Sequence, residues 1–182
     1  MLQRWLKYGC ALAGFLVITG VAAPRPAAAQ GVDFAAGYSF LKDNESSQNF
    51  PAGFFASLGV SPNSWLAIVG EIASNRKTFE ELGEDIKLNV DFYGAGVRFH
   101  GSSGAARPWA QVLVGAARGL IRFRGESESG SELAWQPGAG VDAYFSRSVG
   151  VRFGVNGRFI QAEDVTAKEV QVIVGLVFGG NR

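Results

Sequence analysis

The single histidine of this 182-residue chain, His100, precedes Gly101, Ser102 and Ser103. A histidine within reach of a serine hydroxyl is the pairing that activates the nucleophile of many hydrolases. No carboxylate lies nearby in the sequence to orient the imidazole, and serine and glycine are also ordinary turn residues. We therefore predict no catalytic residue and no enzymatic activity, with a hydrolase as the alternative.

Two glycine pairs, Gly94-x-Gly96 and Gly138-x-Gly140, resemble fragments of phosphate-binding loops. Such a loop must be followed by a helix, whereas both pairs lie inside segments with the alternation of a strand, so we interpret them as glycines that face the interior. One histidine and one cysteine leave little for metal chemistry. We predict neither a cofactor nor a metal site.

Most of the acidic residues, 12 of 16, fall in four segments that we predict to be long loops. They are Asp43, Glu45, Glu80, Glu81, Glu84, Asp85, Glu126, Glu128, Glu132, Glu163, Asp164 and Glu169. No loop has the ligand spacing of a calcium-binding motif. We interpret the acidic loops as a solvated, repulsive surface. Weak binding of divalent cations and contact with another cell surface remain open.

Eight segments of about ten residues alternate between apolar and small or polar residues with period two, which is typical of membrane β-barrels. They span 32–42, 50–60, 65–75, 88–100, 108–119, 133–145, 149–159 and 170–178. Tight turns at 61–64 and 146–148 and a somewhat longer connection at 101–107 alternate with longer, charged ones at 43–49, 76–87, 120–132 and 160–169. This predicts short periplasmic turns, long outer loops and both termini on the periplasmic side.

The two faces of these segments differ in size and charge. In 149–159 one face carries Val149, Val151, Phe153, Val155, Gly157 and Phe159, and the other carries Gly150, Arg152, Gly154, Asn156 and Arg158. Turning either arginine into lipid would cost up to ~2–4 kcal/mol near the midplane. We therefore expect the large apolar residues to face lipid and the small and charged ones to face a narrow lumen. Segment 88–100 changes parity, which predicts a bulge near Phe92 and Tyr93.

Aromatic residues cluster at the segment ends in two bands, as interfacial girdles do. Trp65, Phe99, Trp109, Phe145 and Phe178 lie beside the short turns, and Phe40, Phe50, Phe123, Trp135 and Phe159 lie toward the long loops. The alternative is that aromatic residues simply favour strands.

Five charged residues share the inward face: Glu71, Arg98, Asp142, Arg152 and Arg158. Charges enclosed in a narrow lumen should pair, because an unpaired buried charge is costly. Eight strands leave an interior that side chains just fill. We interpret the five as a salt-bridged plug, with an ion path as the alternative. We expect Asp142 and Arg152, on either side of a tight turn, to pair, with Glu71 extending the pair.

The first 29 residues have the order of parts of a secretory signal: Arg4 and Lys7, then an apolar run from about position 10 to 23, then Ala27-x-Ala29 before Gln30. The run falls short of the ~20 residues that a membrane-spanning helix needs. We predict a signal peptide at 1–29 and one mature domain at 30–182. With Arg25 also removed, 14 of the 17 basic and all 16 acidic residues remain, a formal charge of −2. No basic bias indicates a nucleic-acid partner.

The sequence thus predicts an all-β fold, an eight-stranded antiparallel up-and-down transmembrane β-barrel preceded by a cleaved signal peptide. Four stretches carry a family resemblance: GFFASLGVSPNSWLAIVGE at 53–71, PWAQVLVGAAR at 108–118, PGAGVD at 137–142 and VGLVF at 174–178. Taken in order, they resemble the small OmpA/OmpX-type outer-membrane β-barrels, often labelled porin-like.

The resemblance implies a bacterial outer-membrane location, surrounding lipid, Sec export, the barrel-assembly machinery as a partner, and a monomer. Val174, Leu176 and Phe178 would form the assembly signal. Such barrels usually end on the aromatic residue, whereas Gly179 and three more residues follow Phe178 here.

Three functions are compatible with these features. The leading one is a non-enzymatic outer-membrane barrel with a filled lumen that serves envelope integrity or surface interaction. The second is a passive porin for small solutes. The third is a soluble, lipocalin-like ligand binder of the periplasm.

Overall fold

The computed structural model describes residues 31–43, 49–81, 84–101, 105–123, 126–161 and 166–179. Every regular element in these ranges is a β-strand. The strands are β1 (Gly31–Asp43), β2 (Asn49–Phe50), β3 (Ala52–Ser61), β4 (Leu66–Glu81), β5 (Glu84–His100), β6 (Ala106–Phe123), β7 (Glu126–Tyr144), β8 (Val149–Gln161) and β9 (Thr166–Gly179).

Each strand pairs antiparallel with its neighbours, and β9 returns to pair with β1, which closes the sheet. β2 and β3 together make one barrel strand that is interrupted at Pro51, where the ring nitrogen has no hydrogen to donate. The register against β1 shifts there by one residue, since Leu41 pairs with Phe50 but Tyr38 pairs with Phe54. The prediction of an eight-stranded antiparallel barrel is confirmed, with a bulge at Pro51.

The strands run much further than the alternation of residues predicts. β4 and β5 pair as far as Glu81 and Glu84, and β6 and β7 pair as far as Phe123 and Glu126. Segments 76–87 and 120–132 are therefore mostly hairpin strands, and our prediction of long loops there is wrong. Where both faces of a hairpin meet water, backbone pairing continues without the apolar alternation that marks a strand in lipid. The predicted loop acids Glu45, Glu163 and Asp164 lie outside the described residues.

The short turns lie where the sequence places them. The Asn63 side-chain oxygen accepts hydrogen bonds from the backbone of Trp65 and Leu66, at 3.1 and 2.8 Å. In the other turn, the Ser146 hydroxyl accepts one from the Val149 backbone at 3.0 Å. These side chains mimic a backbone turn. The two ends of the described barrel lie on the side of the short turns, because Gly31 pairs with Ser61 and Gly179 N donates to Ser148 O at 2.7 Å.

The apolar faces point outward and the polar faces point inward. Val32, Phe34, Tyr38, Phe153, Val155, Val172 and Leu176 are each between 44% and 54% exposed. Arg98, Arg152 and Arg158 are fully buried. A soluble ligand-binding barrel has the opposite arrangement, with an apolar interior, so the lipocalin-like alternative is wrong.

The predicted bulge at Phe92 and Tyr93 is also wrong. The pairing of β5 with β4 and β6 continues through both residues without a shift. Phe92 is fully buried inside the barrel, and Leu88 and Val90 on the same face are half-buried. The apolar residues of this segment move from even to odd positions because Leu88, Val90 and Phe92 line an apolar part of the lumen. The strand contains no extra residue there.

Two stacked aromatic pairs lie at opposite ends of the barrel wall. The ring centroids of Trp65 and Phe99 are 6.0 Å apart beside the short turns, and those of Trp135 and Phe159 are 4.4 Å apart toward the long hairpins. Two residues that we assigned to the girdles, Trp109 and Phe50, are instead buried, at 3% and 5% exposure. Trp109 occupies an inward position of β6, and Phe50 precedes the bulge at Pro51.

Within the part of the chain that the structure describes, no helix is long and apolar enough to cross a membrane.

Candidate functional site

The candidate site is the polar lumen, which the inward faces of all eight barrel strands enclose. The structure places the five predicted lumen charges there. Glu71 is 2% exposed, and Arg98, Asp142, Arg152 and Arg158 are fully buried. They do not form one cluster of direct ion pairs, but belong to two charged groups along the barrel that glutamine side chains connect.

Asp142 and Arg152 lie directly opposite each other on β7 and β8. Arg152 Nε donates to Asp142 Oδ1 and Nη2 donates to Oδ2, each at 2.7 Å. The tight turn between the strands fixes this register, and the planar guanidinium matches both carboxylate oxygens. This is a bidentate, fully buried ion pair.

Asp33 of β1 extends the pair across the lumen. Its Oδ1 lies 3.2 Å from Arg152 Nη2 and 3.3 Å from Arg98 Nη1. Arg152 Nη1 also donates to the Ser57 hydroxyl at 3.1 Å. We did not predict Asp33 as a lumen charge, although it lies on the small-residue face of its segment, and that parity could have identified it.

Trp109 packs between the two arginines of this group. Its ring centroid is 5.0 Å from Arg98 Cζ and 5.5 Å from Arg152 Cζ, and its Nε1 donates to Asp142 Oδ1 at 3.1 Å. Gly154 makes room for the ring, since a Cβ there would lie 2.7 Å from two ring carbons. The ring therefore combines cation–π contact with a hydrogen bond to the central carboxylate.

Glu71 joins the network through amides rather than through Asp142 or Arg152. Its two oxygens accept from Gln136 Nε2 at 2.8 Å and Gln111 Nε2 at 3.4 Å. Gln111 Oε1 in turn accepts from Arg98 Nε at 3.0 Å and Nη2 at 2.8 Å. Gln111 is thus the link between the predicted residues Glu71 and Arg98.

Arg158 forms the second charged group, nearer the long hairpins. It donates to Gln136 Oε1 at 3.0 Å and to Glu169 Oε2 at 3.2 Å, and its Cζ lies 4.5 Å from the centroid of the Phe92 ring. We placed Glu169 among the acidic loop residues. It is instead a buried residue of β9, 7% exposed, because that strand begins earlier than predicted.

A chain of neutral side chains completes the network. Gln111 donates to Asn156 at 3.3 Å, Asn156 donates to Gln171 at 2.9 Å, and Gln171 donates to Ser39 at 2.8 Å. Ser39 then donates to Asn75 at 2.9 Å. Sequence reasoning from charge alone missed these amides. With them, every barrel strand contributes at least one side chain to one continuous hydrogen-bonded network.

The charges of this network nearly balance. Three arginines, Arg98, Arg152 and Arg158, face four carboxylates, those of Asp33, Glu71, Asp142 and Glu169. Buried charges are tolerated when they are paired and hydrogen-bonded. Within the described residues, Asp33 Oδ2, Asn75 Nδ2 and Arg158 Nη2 are the buried atoms of this network without a hydrogen-bond partner. The arrangement can hold the strands together and obstruct the lumen.

Above the network, toward the long hairpins, the lumen contains a cavity of about 270 Å³. It is lined by Val90, Ala117, Gly119, Gly130, Glu132, Ile160, Ala167 and Glu169. Glu169 therefore lies at the floor of this cavity, where it pairs with Arg158.

His100 lies at the short-turn end of the lumen, 7% exposed, and neither ring nitrogen has a hydrogen-bond partner. Ser102 and Ser103 lie outside the described residues. The two glycine pairs, at 94–96 and 138–140, are inside β5 and β7, as predicted. No group of histidine, cysteine and carboxylate side chains suited to a metal ion occurs among the described residues.

The three residues of the predicted assembly signal, Val174, Leu176 and Phe178, face outward on β9, between 39% and 47% exposed. Gly179, the next residue, has φ 85°. A side chain at this position would be strained, and its Cβ would meet the backbone oxygen of Val32.

The chain is similar in structure to several small outer-membrane barrels. Ail, the attachment invasion locus protein of Yersinia pestis, has 20% sequence identity and a TM-score of 0.59 over 82% of this chain and 100% of that chain. Neisserial surface protein A has 14% identity and a TM-score of 0.64 over 81% and 95%. The N-terminal β-barrel domain of Pseudomonas aeruginosa OprF has 14% identity and a TM-score of 0.54 over 82% and 97%.

At these identities the likeness shows the fold. No curated protein sequence matches the chain significantly. Residues 13–178 match the family described as "Outer membrane protein beta-barrel domain", which covers most of the chain. The chain therefore belongs to the outer membrane protein beta-barrel domain family and is an integral β-barrel of the bacterial outer membrane.

Proposed function

We propose that this protein is a non-enzymatic outer-membrane barrel with a closed lumen, which serves envelope integrity or surface interaction through its long hairpins. The observation that carries the proposal is the lumen network, to which all eight barrel strands contribute. A porin needs a continuous aqueous path, whereas an eight-stranded barrel has an interior that side chains just fill.

Two positions along the lumen support closure. The group around Arg152 joins Asp142 of β7, Ser57 of β3 and Asp33 of β1, so its contacts cross the interior instead of following one wall. The contact of Arg158 with Glu169 lies at the floor of the upper cavity. An ion would have to separate these pairs to pass, which leaves buried charges uncompensated.

The long hairpins support the surface role. β4 with β5 and β6 with β7 extend well beyond the aromatic bands, while the two fully described connections at the opposite end, 62–65 and 145–148, are tight turns. Outer-membrane barrels place their long connections outside the cell. Among the similar structures, Ail is the attachment invasion locus protein, crystallised in complex with the heparin analogue sucrose octasulfate, and another is Neisserial surface protein A. We infer that the long hairpins of this chain are likewise exposed at the cell surface.

The proposal includes the route of assembly. Residues 1–29 would be removed during Sec export, and the outward face of Val174, Leu176 and Phe178 would be read by the barrel-assembly machinery. The hydrogen bonds of the sheet close on themselves through β1 and β9, which supports a monomer, because a closed barrel leaves no strand edge for a second copy.

A deletion strain tests the proposed function against its alternatives. We expect deletion to make the cells more sensitive to detergents, to reduce their binding to other cell surfaces, or to do both. We expect the unaltered gene to reverse whichever change is found. Entry of small sugars and the mass spectrum of the lipid A fraction should be the same with and without the protein. Slower sugar entry in the deletion strain would instead indicate a porin, and altered lipid A would indicate an enzyme.

A further inference from the structure

The outward faces of four strands carry no charge across the part of the wall between the aromatic bands, and each then reaches a basic residue on the side of the long hairpins. On β1 the outward series is Val32, Phe34, Ala36, Tyr38, Phe40 and then Lys42. On β4 it is Leu66, Ile68, Gly70, Ile72, Ser74 and then Arg76, and on β6 it includes Val112, Val114, Ala116 and then Arg118. Both strands continue beyond these bases into the long hairpins. On β9, followed from its end, it is Phe178, Leu176, Val174, Val172, Val170 and then Lys168.

We name Lys42, Arg76, Arg118 and Lys168 the basic ring. All four side chains are exposed. The ring lies beside the upper aromatic band, because Lys168 pairs with Phe159, and Phe159 stacks on Trp135. The four residues of the basic ring therefore lie immediately beyond the part of the wall that faces hydrocarbon.

One carboxylate accompanies the ring. Asp91 of β5 is the acidic residue at the level of the ring, half-buried and directly opposite Arg118, and Asp85 of the same strand lies further toward the hairpin tip. Arg118 also approaches the Ser129 hydroxyl, at 3.4 Å. Four cations against one carboxylate leave the ring with a net positive charge.

The short-turn end of the wall differs. There the outward positions nearest the turns are Val32, Val60, Leu66, Phe99, Phe145, Val149 and Phe178. Within the described residues, the wall thus meets one membrane boundary with four basic side chains and the other with apolar and aromatic side chains, beyond which the base Arg147 is exposed in a short turn. Such an asymmetry matches a bilayer whose two leaflets carry different headgroups.

We propose that the basic ring binds anionic, phosphate-bearing lipid headgroups in the leaflet on the long-hairpin side. This rests on the barrel's insertion in the membrane. Long basic side chains at this depth keep their apolar stems along the wall and bring their charge to the headgroup phosphates. A zwitterionic headgroup carries a positive group that neutralises its own phosphate, so it attracts the basic ring much less strongly.

Two tryptophans of the chain are natural reporters for the two boundaries. Trp135 lies next to the ring and is 39% exposed, and Trp65 lies at the short-turn end and is 53% exposed. Trp65→Phe and Trp135→Phe variants of the mature chain each retain one of them, while the buried Trp109 is common to both. Each variant is placed in phosphatidylcholine vesicles containing brominated phosphatidic acid or, in equal amount, brominated phosphatidylcholine, and quenching of fluorescence is measured.

We expect brominated phosphatidic acid to quench Trp135 more than brominated phosphatidylcholine does, by about twofold at low salt, and to show no such excess at Trp65. High salt should remove the excess by screening. Changing all four ring residues to glutamine should remove it as well. The matched control Arg147→Gln, an exposed base in a short turn, should leave it unchanged.

Equal quenching of Trp135 by both lipids at low salt would overturn the proposal, as would an excess that survives the four substitutions. If neither lipid quenched either tryptophan, the barrel itself would not be in the bilayer, and the proposed function would fail instead.

Discussion

The Arg152 side chain contacts residues of four other strands of the barrel. Its guanidinium contacts carboxylates from β1 and β7, a hydroxyl from β3, and the Trp109 ring from β6. Because the group is fully buried, each lost partner leaves a charge in a region of low dielectric constant. The stability of the barrel should therefore respond to the removal of single charges far more than to the removal of matched pairs.

A double-mutant cycle on Asp142 and Arg152 tests this. Asp142→Ala and Arg152→Ala should each lower the free energy of unfolding by about 3–5 kcal/mol, because each strands a buried charge. The double variant should lose clearly less than the sum. Urea unfolding in lipid vesicles measures all three. Arg147→Ala, in the turn of the same hairpin, serves as the control and should change stability by no more than about 0.5 kcal/mol. Additive losses would show that the two side chains do not interact.

The packing of the Trp109 ring against Gly154 gives a second prediction. Gly154→Ala should force the ring away from its position and lower the free energy of unfolding by about 1–3 kcal/mol, as overpacking does. Gly119→Ala is the matched control, since a Cβ there meets nothing within 4 Å. It should leave stability unchanged or slightly higher. Equal effects of the two substitutions would mean that Trp109 does not fill the space above Gly154.

At the residue scale, parity predicts which side chains enter the lumen but not which of them touch. The pairing of Asp142 with Arg152 follows from one tight turn, so it can be predicted locally. The contacts of Asp33 with Arg98 and of Gln136 with Glu71 join residues 65 positions apart. They depend on the closure of the whole barrel, which no local pattern contains. Trp109 shares the parity of the polar Gln111 on β6, and that signal could have told it from a girdle residue.

At the element scale, the alternation of residues marks only the part of each strand that has lipid on one side. The hairpin strands beyond it, such as 76–81 of β4, carry polar residues on both faces and therefore resemble loops in the sequence. The bulge was misplaced for a related reason. Pro51 interrupts strand pairing because its nitrogen carries no hydrogen. The apolar residues on the inner face of β5 change the sequence pattern but leave the pairing uninterrupted.

The direction of the hairpins can be tested by labelling whole cells with a membrane-impermeant maleimide. Ser129→Cys, exposed in β7 near the long end, should react, and Arg147→Cys, exposed in a short turn, should not until the cells are opened. Both should react equally in detergent. Reaction of Arg147→Cys alone on intact cells would reverse the orientation.

At the scale of the whole molecule, the number of strands and the direction of their faces could be predicted, because lipid outside and a narrow space inside impose opposite demands on alternate residues. The continuity of the lumen network could not, because it depends on the stagger of the strands around the barrel. The network is what distinguishes a closed barrel from a channel built on the same fold.

The most direct test of closure is the conductance of the unaltered protein in planar lipid bilayers. Insertion is verified on the same preparation by gel mobility with and without boiling, since intact barrels migrate differently until they are heated. The structure predicts no steady conductance above that of the bare bilayer, because ions must break the contacts of Arg152 and Arg158 to pass. Steady, ohmic steps from protein shown to be folded and inserted would contradict a closed lumen.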